Sequence, residues 1–425
     1  MTDRRVGVLA ELHWRGLVAL STDEEALSAA FAVGPVVYYC GFDPTAPSLH
    51  IGNLVQLLTM RRLQQAGNLP LALVGGATGL IGDPRMSGER MLNDPDTVAD
   101  WVDRLRGQVE RYLAFDGPHA ARLVNNLDWT APMSAIDFLR DVGRHFRVNR
   151  MLAKDAVSAR LNSEAGISFT EFSYQILQGM DFLELYRRYG CVLQTGGSDQ
   201  WGNLTAGTDL VHRVEGRSVH ALATPLITKA DGTKFGKTES GTVWLDGAMT
   251  SPYAFFQFWI NADDRDVLGY LKAFTFRTRD ELDAFAAEVA GRPAARQAQR
   301  ALASDVTTLV HGAEATRRVE EASQALFGRG ELAGLDQETL RDALAELPSA
   351  RLPRGQHAVA DLLVATGLAS SRGAARRTLA EGGGYVNNSK VAGEDAQVGV
   401  DALLYDRWLV VRRGRRALAA VELIG

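Results

Sequence analysis

The sequence predicts an α/β protein: a parallel sheet with a helical stretch inserted in it, a helical region behind it, and a small basic α/β piece at the end. Three observations carry that prediction. In the first half, apolar strand-like runs alternate with helix-like segments, the rhythm of βαβ units. Glycine-rich turns, Gly41, Gly75–Gly76 and Gly196–Gly197, fall at the carboxyl ends of those runs. After about Ser251 the spacing turns helical, until two prolines and a glycine in "LAELPSARLPRG" mark a linker.

The elements follow in order. "VVYYC" (Val36–Cys40) reads as a buried strand. "LHIGNLVQLLTMRRLQQAG" reads as a helix, with Ile51, Leu54, Leu58 and Leu63 near helical spacing and Gly67 as its C-cap. "LPLALVGG" and "CVLQTGG" are further strands. Between about Asp96 and Tyr189 the pattern is mostly helical around "NNLDW", and part of it reads as an insertion between sheet halves. From about Gln356, "HAVADLLVATGLASSRGAARRTLAEGGGYVNNSKV" predicts two short helices and a strand beginning at "GYVNN". "RWLVVRRGRRALAAVEL" predicts two strands around a basic turn, Arg412–Arg416. Domains are expected over 1–248, 249–347 and 348–425.

Charge and cysteine content narrow the function classes. The net charge of −5 does not describe a protein coated in nucleic acid. From Pro353 onward, however, ten Lys and Arg face seven Asp and Glu, a basic tail on an acidic body. The two cysteines, Cys40 and Cys191, form neither a metal-spaced pair nor a disulfide framework, as expected of a reducing cytoplasm. "LPLALVGGATGLIG" is too short and glycine-rich to cross a bilayer, which takes ~20 residues, so no membrane association is expected.

The turn "GFDPTAPSLHIGN" carries the chemistry. It aims a helix N-terminus, with its free N–H groups and partial positive charge, beyond the sheet edge, where phosphate binds. Pro44 and Pro47 stiffen the approach and Ser48 is placed to cap the helix. His50 can donate to a phosphate oxygen. Gly52, lacking a side chain, lets a flat ring lie on the helix. Taken singly, a buried histidine and an incidental glycine explain these two residues better. "GGATGLIG" does not fit G-x-G-x-x-G, and "GTKFGKT" has one residue too few between its glycines for a P-loop. The loop "LITKADGTKFGKTESG" instead offers Lys229, Lys234 and Lys237 among glycines, a set that can close over a triphosphate. Alone, it is as readily a solvated basic loop.

Together, "HIGN" and "KFGKT" resemble the two signatures of the class I aminoacyl-tRNA synthetases. "YCGFDPTAPSLHIGNL", "GISFTEFSYQILQ", "LQTGGSDQWGN" and "TKADGTKFGKTESGTVWLD" are similar to the bacterial tyrosyl members of that family, and the resemblance runs through essentially the whole chain. It implies a Rossmann-like catalytic domain with a helical insertion, an α-helical domain, and an S4-like RNA-binding domain. It also implies ATP as substrate with Mg²⁺, no tightly bound cofactor, no dedicated metal site, tRNA(Tyr) and L-tyrosine as partners, and a homodimer.

Residue by residue, the resemblance matches Tyr39 and Asp181 to the groups that read the substrate phenol. Asp83, Tyr174 and Gln178 match the cluster around its ammonium, and Gln200 a residue near its carboxylate. Tyr174, Gln178 and Asp181 share one helix face. Asp199 and Gly197 match ribose contacts, Cys40 a weaker one, and Gly41, Asp43 and Gly52 further nucleotide contacts. Thr45, His50, Asn53, Lys234, Lys237 and Thr238 match the groups that grip the departing pyrophosphate. Asn53 stands where the signature ideally has a second histidine, and the loop reads Lys-Phe-Gly-Lys-Thr where the superfamily has Lys-Met-Ser-Lys-Ser. Arg85 and Arg90 occupy places where the family often has lysine and arginine. Arg372, Arg376 and Arg377 on a helix, with Arg412 and Arg413 in the basic turn, suit an RNA backbone. A tryptophanyl enzyme, a small adenylyltransferase and a non-catalytic RNA-binding descendant are the alternatives. The basic tail, "GGSDQ" and the phenol-reading pair oppose the first two; intact His50, Lys234 and Lys237 oppose the third.

Overall fold

The structure is a computed structural model that describes residues 7–84, 92–152, 154–164, 166–233, 235–238, 241–414 and 417–424. It divides into two compact units. One comprises Met1–Asp246 with Asp263–Ala298, the other Gly247–Ala262 with Gln299–Gly425.

The first unit is built on a six-stranded sheet of β1 (Leu20–Ser21), β2 (Val37–Phe42), β3 (Leu69–Val74), β4 (Arg122–Asn125), β5 (Leu193–Gly197) and β6 (His220–Thr224), in the order β1-β6-β5-β2-β3-β4. All neighbours run parallel except β1, which pairs antiparallel with β6. β3 and β6 are buried almost end to end, as strands covered on both faces must be. From β2 the chain goes outward through β3 to β4, then returns on the other side of β2 as β5. That reversal opens a crevice beyond the carboxyl ends of β2 and β5.

The Ile51–Gln65 helix follows β2 as predicted, but its start differs. His50 is the N-cap: its Nδ1 accepts the Gly52 N–H at 3.0 Å, and Asn53 Oδ1 accepts the His50 N–H at 3.0 Å. This is a reciprocal capping box built on histidine and asparagine. Ser48, expected to cap, is buried, and its hydroxyl accepts from the Gln108 amide (3.0 Å) and the Asp246 N–H (3.1 Å). Gly67 sits just past the helix with φ +97°, the left-handed turn its sequence position implies. In the insertion, the Phe169–Tyr189 helix starts on Ser168 and ends on left-handed Gly190. Its buried face, with Ile176, Met180 and Phe182, joins Tyr39, Leu71, Leu73 and Trp129 in one core.

After β7 (Lys237–Thr238) and its antiparallel partner β8 (Gly241–Thr242), the second unit carries the remaining strands. These are β9 (Ser349–Pro353), β10 (His357–Ala358), β11 (Gly384–Val386), β12 (Ser389–Lys390), β13 (Gln397–Val398), β14 (Trp408–Arg413) and β15 (Ala417–Ile424). Five of them form a sheet in the order β12-β11-β14-β15-β9. Its core sets Leu409, Val411 and Val421 against Leu362, Leu363 and Leu379 of the two predicted helices. Asn387 and Asn388, both at positive φ, form the two-residue turn between β11 and β12. "LPSARLP" is not a linker. It makes β9, parallel to β15 at the sheet edge, where proline is tolerated because one side of the strand needs no ladder hydrogen bonds.

Candidate active site

A cavity of about 440 Å³ occupies the crevice beyond β2 and β5. β2 contributes Tyr39, Cys40 and Gly41; the following turn contributes Asp43 and Thr45; the helix start contributes His50, Gly52 and Asn53. Asp83 enters from the loop after the Thr78–Ile81 helix. Tyr174, Gln178 and Asp181 project from one face of the Phe169–Tyr189 helix, and Gly197, Asp199 and Gln200 come from the end of β5.

The innermost wall is a hydrogen-bonded chain. Asp181 is 3% exposed, and its two oxygens accept from Trp129 Nε1 (2.8 Å) and Asn126 Nδ2 (3.0 Å). Burial pushes its carboxyl up to about 7, against the pull of those two donors. Asn126 also donates to Thr78 Oγ1 (2.9 Å), Thr78 donates to Asp43 Oδ1 (2.6 Å), and Tyr174 donates its hydroxyl to Asp43 Oδ2 (2.6 Å). Beside Asp181, the buried Tyr39 ring meets Phe182 edge-on at 5.2 Å. Its hydroxyl has no partner among the described residues, and burial raises its pKa, so it stays a phenol. An orphaned buried hydroxyl costs about 1–3 kcal/mol, which a ligand carrying its own hydroxyl would recover.

The outer wall centres on Asp83. Gln200 Nε2 donates to its Oδ2 at 3.0 Å and Asn203 Nδ2 to its Oδ1 at 3.1 Å. Asp43, Asp83 and Asp199 make the cleft acidic, a setting for a cationic head group.

At the helix end, an Nδ1 that accepts from Gly52 carries no proton, so in the neutral His50 ring the proton sits on Nε2. A β-carbon on Gly52 would lie 2.8 Å from His50 Cε1. The glycine thus makes room for the histidine's own ring, a reason separate from the flat ligand expected above. The signature segments, far apart in the chain, lie side by side. The Ile51 N–H donates to Val243 O (3.0 Å), the Leu245 N–H donates to Leu49 O (2.9 Å), and His50 bridges Trp244. A β-carbon on Gly236, at φ +78°, would clash with Ile51 Cγ2 at 2.5 Å. Phe235 lines the cleft and stacks on Phe274 at 5.4 Å. Lys234, Arg85 and Arg90 lie outside the described residues, as do the side chains of Lys237 and Thr238.

The sequence reading missed Thr78, Asn126, Trp129 and Asn203. Asn125 and Asn126 were legible as a polar pair behind an apolar run, had "RLVN" been recognised as a sheet strand. In the second unit, Arg412 is a correction. Expected to face RNA, it is 8% exposed and donates to Leu326 O (2.9 Å) and to Asn388 Oδ1, because its β14 position points into the unit. Arg372, Arg376, Arg377 and Arg413 are exposed; Arg372 pairs with Asp361 and Arg376 with Asp395 (2.7 Å). Arg415 and Arg416 lie outside the described residues. Among the described residues no three His, Cys, Asp or Glu converge to hold a metal ion, and no helix is long and apolar enough to cross a membrane.

The model of the tRNA synthetases class I (W and Y) matches residues 33–328, and that of the tyrosine–tRNA ligase SYY-like C-terminal domain matches 339–421. The tyrosine–tRNA ligases of Streptomyces avermitilis and Streptomyces coelicolor are 66% and 64% identical to the chain, in each case over 426 residues that span all of both chains. Among solved structures, a C-terminally truncated mitochondrial tyrosyl-tRNA synthetase of Aspergillus nidulans superposes with a TM-score of 0.68. It is 29% identical, and the match covers 75% of this chain and 94% of that one.

Proposed function

The chain belongs to the class I tRNA synthetases, among the tyrosine–tRNA ligases, which activate L-tyrosine with ATP and pass it to the 3′ end of tRNA; from that premise we propose the part each residue of the cleft plays. The observation that carries the assignment is the seating of the Phe235–Gly236 segment against the start of the Ile51–Gln65 helix, which sets both signatures at one cleft.

Tyr39 and Asp181 read the substrate phenol. Both present polar atoms in a buried wall, and phenylalanine would leave the Tyr39 hydroxyl unpaired. A site that hydrogen-bonds a substrate hydroxyl rejects the analogue lacking it by about 10⁵-fold in tyrosyl enzymes. Asp83, Tyr174 and Gln178 hold the ammonium, and Gln200 the carboxylate side. Gly41, Asp43, Gly52, Gly197 and Asp199 hold the nucleotide, with Cys40 a minor contact. The tyrosine carboxylate attacks the α-phosphate in line, and Mg-pyrophosphate leaves. The nucleophile is already an anion, so no residue needs to act as general base. Rate comes from positioning and from donors on the departing phosphates: Thr45, His50 through Nε2, Asn53, Lys234, Lys237 and Thr238. Magnesium enters as part of the Mg–ATP substrate. In the second step the terminal ribose hydroxyl of the tRNA attacks the adenylate.

The exposed Arg372, Arg376, Arg377 and Arg413 are proposed to meet the RNA backbone, which fits the planar donors of arginine; buried Arg412 is not. A second copy of the chain is proposed as partner, supported by large apolar side chains left exposed in the insertion, among them Ile136, Leu139, Val148 and Phe169. The cytoplasm is the proposed compartment, supported by two buried free cysteines.

Amino-acid-dependent ATP–pyrophosphate exchange with tyrosine, tryptophan and phenylalanine tests the assignment. Exchange with tyrosine alone is expected. Its absence with tyrosine overturns the reading.

A further inference from the structure

Lys154 stands outside the cleft lining, yet its ammonium reaches the outer wall. It occupies the N-cap position of the Asp155–Leu161 helix without a side-chain capping bond, and its Nζ donates to Asn203 Oδ1 at 3.2 Å. Asn203 Nδ2 faces the other way and donates to both Asp83 Oδ1 (3.1 Å) and Gln200 Oε1 (2.9 Å). Gln200 then turns its Nε2 to Asp83 Oδ2 (3.0 Å).

Side-chain amides have a donor end and an acceptor end of nearly equal shape, so their neighbours decide which way they face. An ammonium only donates. It therefore holds Asn203 with its oxygen toward Lys154 and its nitrogen toward the cleft. That choice forces the next one, since the Gln200 oxygen must meet the Asn203 nitrogen. One cation thus orders two amides, and both amides end on the same carboxylate. The seat is shaped for the lysine: a β-carbon on Gly202 would lie 3.1 Å from Lys154 Cε and Nζ.

We infer that Lys154 is a positioning residue for the amino-acid end of the cleft, fixing through Asn203 the direction of the Gln200 amide and the seat of the Asp83 carboxylate. The inference rests on the assignment of Asp83 and Gln200 to the tyrosine head group. It needs the protonated ammonium, the form of Lys154 that only donates. Lys154 sits in the wall, where burial pushes its ammonium down to about 7 and the Asp83 charge pulls it back up.

The test uses the full chain and tyrosine-dependent pyrophosphate exchange. Lys154→Met should raise the KM for tyrosine about tenfold, the scale of a hydrogen bond to a charged group. The KM for ATP should stay within about twofold. Binding of 4-ethylphenol, which has the phenol but neither the ammonium nor the carboxylate, should not change. Asn203→Leu should give the same tyrosine defect. The double variant should be no worse than Asn203→Leu, because both act through one chain of bonds. Lys154→Arg, which keeps a donor, should recover most of the loss. Should Lys154→Met melt early, Asn203→Leu and Lys154→Arg carry the comparison. A tyrosine KM left within about twofold, equal losses for ATP and tyrosine, or additive losses in the double variant each overturn the inference. A wild-type chain that fails to exchange tyrosine overturns the underlying assignment instead.

Discussion

His50 uses one ring for two tasks. Nδ1 closes the helix start, which in the neutral ring puts the proton on Nε2, so the cap fixes the tautomer that the phosphate needs. Gly52→Ala should therefore act like a histidine variant, because its β-carbon displaces the ring. Turnover in pyrophosphate exchange should fall by about tenfold or more, with the tyrosine KM unchanged; full turnover would separate the two residues. The sequence supported Ser48 as the cap because serine outranks histidine there; only the burial of Ser48 by Gln108 and Asp246 removes it. Asp181 gives a second residue-scale prediction. Its carboxyl is raised to about 7 by burial, well above its ordinary value near 3.8. The folded state thus holds a proton that the unfolded state has lost between about pH 4 and 7. Its stabilising contribution is complete below pH 4 and disappears as pH rises through 7. The melting temperature of Asp181→Asn minus that of wild type should increase across that window. A flat difference would place Asp181 at its ordinary pKa.

At the scale of elements, the start of the Ile51–Gln65 helix and the Val243–Leu245 segment form one backbone unit, to which Gly236 fastens the lysine loop. Gly236→Ala combines an unfavourable φ of +78° with a β-carbon 2.5 Å from Ile51 Cγ2. It should slow exchange while tyrosine binding, followed by equilibrium dialysis, is unaffected. Lys237→Ala should slow adenylate formation with little change in tyrosine affinity. A large loss of affinity with normal turnover would contradict the role given to Lys237. The long helices and the central strands β2, β3 and β5 were legible because their periodicity or apolar runs are strong. The short strands β1, β4 and β6 were not, since two to five residues carry no period of their own and none of the three ends on the glycine pair that marks β5. Missing β4 hid Asn126, the link between Thr78 and Asp181. β9 was hidden by its prolines, which local sequence alone assigns to a linker.

For the whole molecule, the described residues that line the cleft belong to the first unit, while the exposed arginines assigned to RNA lie in the second. A chain ending before residue 348 should keep tyrosine-dependent exchange and lose tRNA charging, measured by aminoacylation. Loss of exchange as well would tie the cleft to the tail. The pairing of Leu49–Ile51 with Val243–Leu245 also has a history in time. On a ribosome adding about 5–20 residues per second, the helix start waits roughly ten to forty seconds for its partner strand to be made. Until then the turn carrying His50 is born without half of its site, and closing a loop of about 190 residues is the late, entropically costly event that completes it.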